Sequence, residues 1–205
     1  MLISGSVEAH LGYALAWLSF GSGHSLLACD GCKRRLRPIF GAYYRAFYNA
    51  FAAIHLGLVW WLGDFIFRGR PPFDFSVEMH DLLFIVYAVG WLVMLFGLRG
   101  YDLGRLAGIH QIRGYLRAGE DTEDEPLRLD GLHRYVRHPL YSGGFLILWG
   151  RVTGDFELAT AVWASLYLLV GAWFEERRLL RLYGAEYAEY RRRVPAFVPW
   201  RGRVG

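Results

Sequence analysis

The sequence predicts an all-α protein that crosses a membrane several times, and three observations predict it. Hydrophobic residues make up 54% of the 205-residue chain and charged residues only 20%, with a mean hydropathy of +0.19; soluble domains carry about 25% charged residues. Three long windows hold no Asp, Glu, Lys or Arg at all: 9–29, 46–63 and 82–98, of 21, 18 and 17 residues. A hydrocarbon core takes roughly 17–25 residues of helix to cross. Finally, the basic residues are one-sided: with these windows as spans, 20 of the 23 Lys and Arg fall on one side of the membrane and three on the other. Disorder, a collagen-like repeat and a disulfide-rich secreted domain are excluded by the same composition.

Taken in order, window 9–29 is the first span. It is too long for a cleavable signal peptide and lacks a basic leader and an A-x-A site, so none is expected. Residues 34–44 are basic and aromatic and suit an interface. Window 46–63 is the second span, and 64–78, with Pro71-Pro72, is a loop. Window 82–98 is the third. Residues 102–117 suit a helix lying on the surface, followed by an acidic loop (Glu120, Asp121, Glu123, Asp124, Glu125) that Pro126 ends.

Two further apolar runs, 139–150 and 158–174, read as a helical hairpin that turns at 151–157. The first of them, 12 residues, is too short to span alone if straight. Residues 174–193 continue as a long helix leaving the membrane, with Glu186/Tyr190 and Glu189/Arg193 spaced to meet on one face. The tail, Val194-Pro195-Ala196-Phe197-Val198-Pro199-Trp200, cannot be helical because of its prolines. The expectation is one membrane-embedded domain over 1–205, about five spans, with three in 1–98 and the chemistry in 99–205. The positive-inside rule places the N-terminus outside and the C-terminal helix in the cytoplasm. A basic rim of this kind contacts anionic lipid, which explains the pI without nucleic acid.

Most motifs of soluble enzymes are missing. There is no G-x-G-x-x-G after a strand, no P-loop and no G-x-S-x-G elbow. The seven His form no H-x-x-x-H, and no metal site is expected. Cys29 and Cys32 form C-D-G-C but lack the four ligands of structural zinc and the βαβ setting of a redox pair, so they read as incidental thiols.

Two stretches stand out. The first is Arg134-Tyr135-Val136-Arg137-His138-Pro139-Leu140-Tyr141-Ser142-Gly143-Gly144. Pro139 suits the first position of a helix, where its missing N–H costs nothing, with His138 at the cap. The first-turn N–H groups favour an anion. Gly143 and Gly144 let a ligand or another helix approach the backbone closely. The second stretch begins at Glu175-Glu176, two carboxylates directly after an apolar span, where ionisable groups are costly and point to function.

Together, R-H-P-L-Y-S-G, a hairpin, E-E-x-x-L and Y-G-x-E-Y-x-x-Y-x-x-x-V-P resemble the integral-membrane methyltransferases that include isoprenylcysteine carboxyl methyltransferase and the phospholipid methyltransferases. The likeness covers roughly 97–199. Gly23-His24-Ser25-Leu26-Leu27-Ala28, and Asp102 through Gly108 to Gln111, look more like the bacterial branch with thiol S-methyltransferases such as the methanethiol enzyme. The resemblance implies S-adenosylmethionine as methyl donor, bound at the cytoplasmic side of a bacterial inner membrane, and a small or lipophilic thiol or carboxylate as acceptor. It implies donor-binding roles for His138, Pro139, Tyr141, Gly143, Glu175, Glu176, Tyr187 and Tyr190, with Gly97, Gly100 and Gln111 near the donor at the end of the third span. Arg193 and Glu176 would act at the reacting centre, Arg193 by attracting an anionic acceptor. Two alternatives remain open: an NADPH-dependent membrane reductase of the sterol reductase type, and a non-catalytic membrane protein accessory to respiration or denitrification.

Overall fold

A computed structural model describes residues 2–102 and 127–201, with only Gly104, Ala107, Ile109 and Arg113 between them. The described residues are helical, with no strand among them. Six helices follow in order: α1 (Leu2–Ala28), α2 (Asp30–Phe40), α3 (Tyr44–Phe67), α4 (Val77–Leu98), α5 (Pro139–Gly150) and α6 (Asp155–Arg193). Short 3-10 turns occupy Gly41–Tyr43 and Gly131–Arg134. The chain is an all-helical membrane protein. Among the described residues, three stretches are long and apolar enough to cross a bilayer, Asp30–Phe67, Val77–Leu98 and Asp155–Arg193. Only 17%, 11% and 22% of their apolar windows are buried inside the protein. Side chains such as Trp60, Trp61, Phe84, Leu92, Phe96, Leu169 and Phe174 are exposed instead. In water such a surface would aggregate; in lipid it is solvated.

The expected first and fourth spans are not among these three. α1 is long, but its window is diluted by Gly21-Ser22-Gly23-His24-Ser25. α5 has 12 residues, about 18 Å of helix, too short to cross unaided. The surface helix expected over 102–117 lies almost wholly outside the described residues.

Two compact units divide the chain. The N-terminal unit contains α1–α3. α1 and α3 pack through aromatic and imidazole rings: Phe20 lies 5.6 Å from His55, and Tyr13 lies 5.7 Å from Phe67. Polar contacts tie the same helices, Tyr48 Oη to His24 and Ser19 Oγ to His55 at 3.3 Å. α2 begins at Cys29, whose Sγ accepts the Cys32 N–H, so one of the two thiols caps a helix.

The second unit holds α4, α5 and α6, so the third apolar run groups with the C-terminal half. α5 begins at Pro139 with His138 as cap, as the sequence predicts. α4 and α5 run antiparallel at backbone contact. A methyl group at Gly90 would lie 2.7 Å from Ile147 N, and one at Gly143 would lie 2.9 Å from Met94 N. The pairs Gly90/Gly97 and Gly143/Gly150 are each seven residues apart, two helical turns, so each presents one smooth stripe. Across the hairpin Trp149 Nε1 donates to Ser165 Oγ at 3.0 Å.

α6 is interrupted once. Gly184 has φ +53° and ψ −122°, a pairing that L side chains avoid, so the helix breaks and re-aims residues 185–193. Gly184→Ala should therefore destabilise the protein by about 1–3 kcal/mol, read as a lower thermal midpoint in detergent; an unchanged midpoint would show that the segment re-forms without the break.

Candidate functional site

The start of α5, the middle of α6 and the tail after α6 converge on one charged cluster. Its centre is Glu176, with a side chain only 12% exposed. Arg137 donates to Glu176 Oε1 from Nε at 2.8 Å and from Nη2 at 2.5 Å. His138 Nε2 stands 3.1 Å from the same oxygen, and Arg191 Nε is 3.2 Å from Oε2. Burial opposes the charge of Glu176, and three cationic or imidazole groups compensate for it. Both its oxygens are therefore engaged by the protein.

Glu175 is different. Its side chain is 47% exposed, Tyr141 Oη donates to its Oε2 at 3.1 Å, and His138 Nδ1 lies 3.6 Å away. Consecutive helix positions point about 100° apart, so one glutamate of the pair turns into the protein and the other is left facing outward. His138, 6% exposed, stands between them with one ring nitrogen toward each carboxylate. The Tyr141 ring stacks on it at 5.2 Å, and Phe197 approaches at 5.5 Å.

The tail folds back across this cap as an extended strap. His138 N–H donates to Ala196 O at 3.0 Å and Arg137 N–H to Pro195 O at 2.9 Å. Arg137 Nη1 reaches Val194 O at 2.5 Å and Arg191 O at 3.2 Å. Ser142 Oγ lies 2.7 Å from Phe197 O, and the Phe197 ring packs edge-on against Phe145. The prolines predict a non-helical tail; the structure adds what that tail pairs with.

Tyr187 and Tyr190 lie under the strap in an apolar core with Val194, packed by Leu127, Leu129, Leu179, Leu180 and Tyr183. Tyr190 Oη donates to His133 O at 2.7 Å. Tyr187 Oη is buried, with the charged groups of Glu176 and Arg137 as its neighbours.

His133 braces the approach to the cluster. A carbonyl only accepts, so the contact of Nδ1 with Arg137 O at 3.2 Å places a proton on Nδ1. In the neutral ring Nε2 then accepts from Tyr101 Oη, 3.1 Å away. Burial lowers the pKa of His133 from its ordinary 6.5. The unfolded chain thus takes up this proton more readily than the folded one. The contribution of His133 to stability is complete above about pH 6.5 and is lost as the pH falls below that value. Thermal unfolding from pH 8 to pH 5 should show this loss, and His133→Gln should flatten that part of the profile; an identical profile in the variant would refute the assignment.

The remaining expected residues fall elsewhere. Gly143 faces the α4 backbone at Met94 and Gly90, so its missing side chain serves helix packing. Gly97 is covered by Leu140, and Gly100 lies near Arg128 at the end of α4. Pro139 is fully buried at the first turn. Arg193 points away from the glutamates: its Nε is 2.6 Å from Glu189 Oε1, and Arg192 pairs with the same carboxylate. Gln111 lies outside the described residues. The arginines that pair with Glu176 are Arg137 and Arg191. Arg137 stands inside the R-H-P motif, but its sequence position gives no sign that it reaches residues 54 and 57 positions away.

The chain is 32% identical over 165 residues to methanethiol S-methyltransferase 1 of Bradyrhizobium diazoefficiens, covering 78% of this chain and 56% of that protein. It is 33% identical over 198 residues to methanethiol S-methyltransferase 2 of the same organism, covering 94% and 74%. Nurim of Sus scrofa is 29% identical over 166 residues, covering 75% and 63%. The chain thus spans less than two thirds of the first and third of these relatives. No family model and no solved structure matches it. With a third of its residues shared over most of both chains, this membrane protein belongs to the methanethiol S-methyltransferase family.

Proposed function

We propose that the protein is an integral-membrane methyltransferase that moves a methyl group from S-adenosylmethionine to a small thiol, with methanethiol, named in its relatives, as the first candidate acceptor. The observation that carries this reading is the convergence of His138 and Tyr141 on the half-exposed Glu175 carboxylate, with Phe197 of the C-terminal strap packed against the same His138 ring. The 20-to-3 division of basic residues supports a bacterial inner-membrane location with the N-terminus outside and the site on the cytoplasmic side.

The residues fit the donor's chemistry. S-Adenosylmethionine carries a sulfonium and an α-ammonium, and it supplies the electrophilic methyl. Glu175 keeps lone pairs open for a cation, while Tyr141 fixes its rotamer. Tyr187 Oη is buried beside the same cluster, next to Glu176 and Arg137. Glu176 is saturated by Arg137, His138 and Arg191, so its part is to hold His138 in place. Phe197 and Phe145 make an apolar wall that excludes water. A thiol acceptor must give up its proton as the new carbon–sulfur bond forms. Its thiolate needs little further activation, because the protein's contribution is alignment of the two reactants.

Purified full-length protein in detergent, given methyl-labelled S-adenosylmethionine and methanethiol, should release labelled dimethyl sulfide into the headspace. Titration calorimetry with S-adenosylmethionine and with NADPH should show binding of the former alone. Binding of NADPH, or neither donor binding nor labelled thioether, would overturn the reading. A reporter after Gly205 should be cytoplasmic and one near Pro72 external.

A further inference from the structure

We infer that Arg137 is a positioning residue, the fastener that holds the C-terminal strap onto the first turn of α5 and so sets the wall of the ligand site; that the ligand is the methyl donor rests on the methyltransferase reading above. One residue ties the middle of α6, the end of α6 and the strap to the start of α5. Its Nε and Nη2 take the Glu176 carboxylate of α6, and its Nη1 takes the carbonyls of Arg191 and Val194 at the end of α6. Its own backbone N–H takes Pro195 O in the strap, and the next N–H takes Ala196 O. The side chain is only 10% exposed.

The carbonyls matter as much as the ion pair. Val194 closes the last turn of α6, its N–H on Tyr190 O, and leaves its own carbonyl pointing onward. Terminal carbonyls of a helix need donors from elsewhere. Arg137 supplies them, and the strap leaves the helix in the direction that this bond sets. Phe197 then lands against His138 and Phe145. A guanidinium is a planar fork with five donors; an ammonium is a point charge with three. Lysine at this position can neutralise Glu176, but it cannot hold the carboxylate and the two carbonyls together.

Arg137→Lys is therefore the informative variant, because it leaves no buried carboxylate without a cation. Three readouts on the full-length protein in detergent test the inference. Limited trypsin digestion at Arg191–Arg193 should be at least tenfold faster in Arg137→Lys than in the wild type, with the unfolding midpoint nearly unchanged. KM for S-adenosylmethionine should rise at least tenfold, with kcat changing less than threefold. Arg192→Lys, in a residue that pairs only with Glu189 on the exposed side, should change neither. Should the lysine variant fail to fold, the double variant Arg137→Met with Glu176→Met removes both charges and takes the same digestion test, with the same acceleration expected. Wild-type protection of the strap in the folded variant would overturn the inference. If digestion accelerates but neither protein binds S-adenosylmethionine, the fastener stands and the methyltransferase reading falls.

Discussion

Replacing Gly150 with leucine should leave no folded protein to purify. The first side-chain carbon added there would lie 2.7 Å from Tyr87 Cα and 2.8 Å from Leu83 O, and both are backbone atoms of α4. A flexible side chain could swing away; a helix backbone cannot. Ordinary overpacking costs about 1–3 kcal/mol because neighbours adjust. Here the adjustment is separation of two helices along their whole seam, which includes the contacts at Gly90, Gly97 and Gly143. Against a total stability of about 5–15 kcal/mol, that loss is fatal or nearly so. Gly144 is the control: a methyl there meets only Leu168 Cδ1, at 3.6 Å, an ordinary contact. Gly144→Ala should elute as a single species and unfold within a few degrees of wild type. A monodisperse Gly150→Leu protein with a normal midpoint would mean that α4 and α5 do not pack as described.

The two adjacent glutamates should fail in opposite ways. Glu176→Gln leaves the buried Arg137 guanidinium and Arg191 without their carboxylate. Removing one partner of a buried ion pair costs about 3–5 kcal/mol, so this variant should lose stability first and any activity as a consequence. Glu175→Gln alters a half-exposed group and should fold normally. It should nevertheless bind S-adenosylmethionine at least tenfold more weakly, since a hydrogen bond to a charged group contributes about 1.5–3 kcal/mol. Thermal unfolding and calorimetry on both variants separate the two roles. A stable Glu176→Gln that has lost the donor, beside a Glu175→Gln that retains it, would reverse the assignment.

The sequence carries the helices well because their signals are local. Uncharged windows mark α3, α4 and the first half of α6, and Pro139 marks the first residue of α5. Gly143 shows where such reading stops. A glycine near a motif announces close approach without saying by what, and here the approaching group is another helix. Arg193 and Arg191 show the same limit in charge. Two positions along a helix turn a side chain by about 200°, which is enough to send Arg193 to Glu189 and Arg191 to Glu176. The strap is legible only as a non-helical tail, because its partners lie some 55 residues upstream and its hydrogen bonds use main-chain atoms that every sequence has.

Up to the break at Gly184, α6 runs from Asp155 to Tyr183, about 43 Å at about 1.5 Å per residue, well beyond the roughly 30 Å of a hydrocarbon layer. Counting from Asp155, some 30 Å of rise is used up at Glu175, so the half-exposed carboxylate stands about one bilayer thickness from the turn that begins the helix. On the topology proposed above, that level is a boundary between two solvents. A charged, water-soluble molecule can reach it without entering oil, and an apolar molecule dissolved in the lipid can reach it without entering water. Two reactants with opposite partition coefficients can therefore meet there, and a product more oil-soluble than its precursor has an exit sideways into the bilayer.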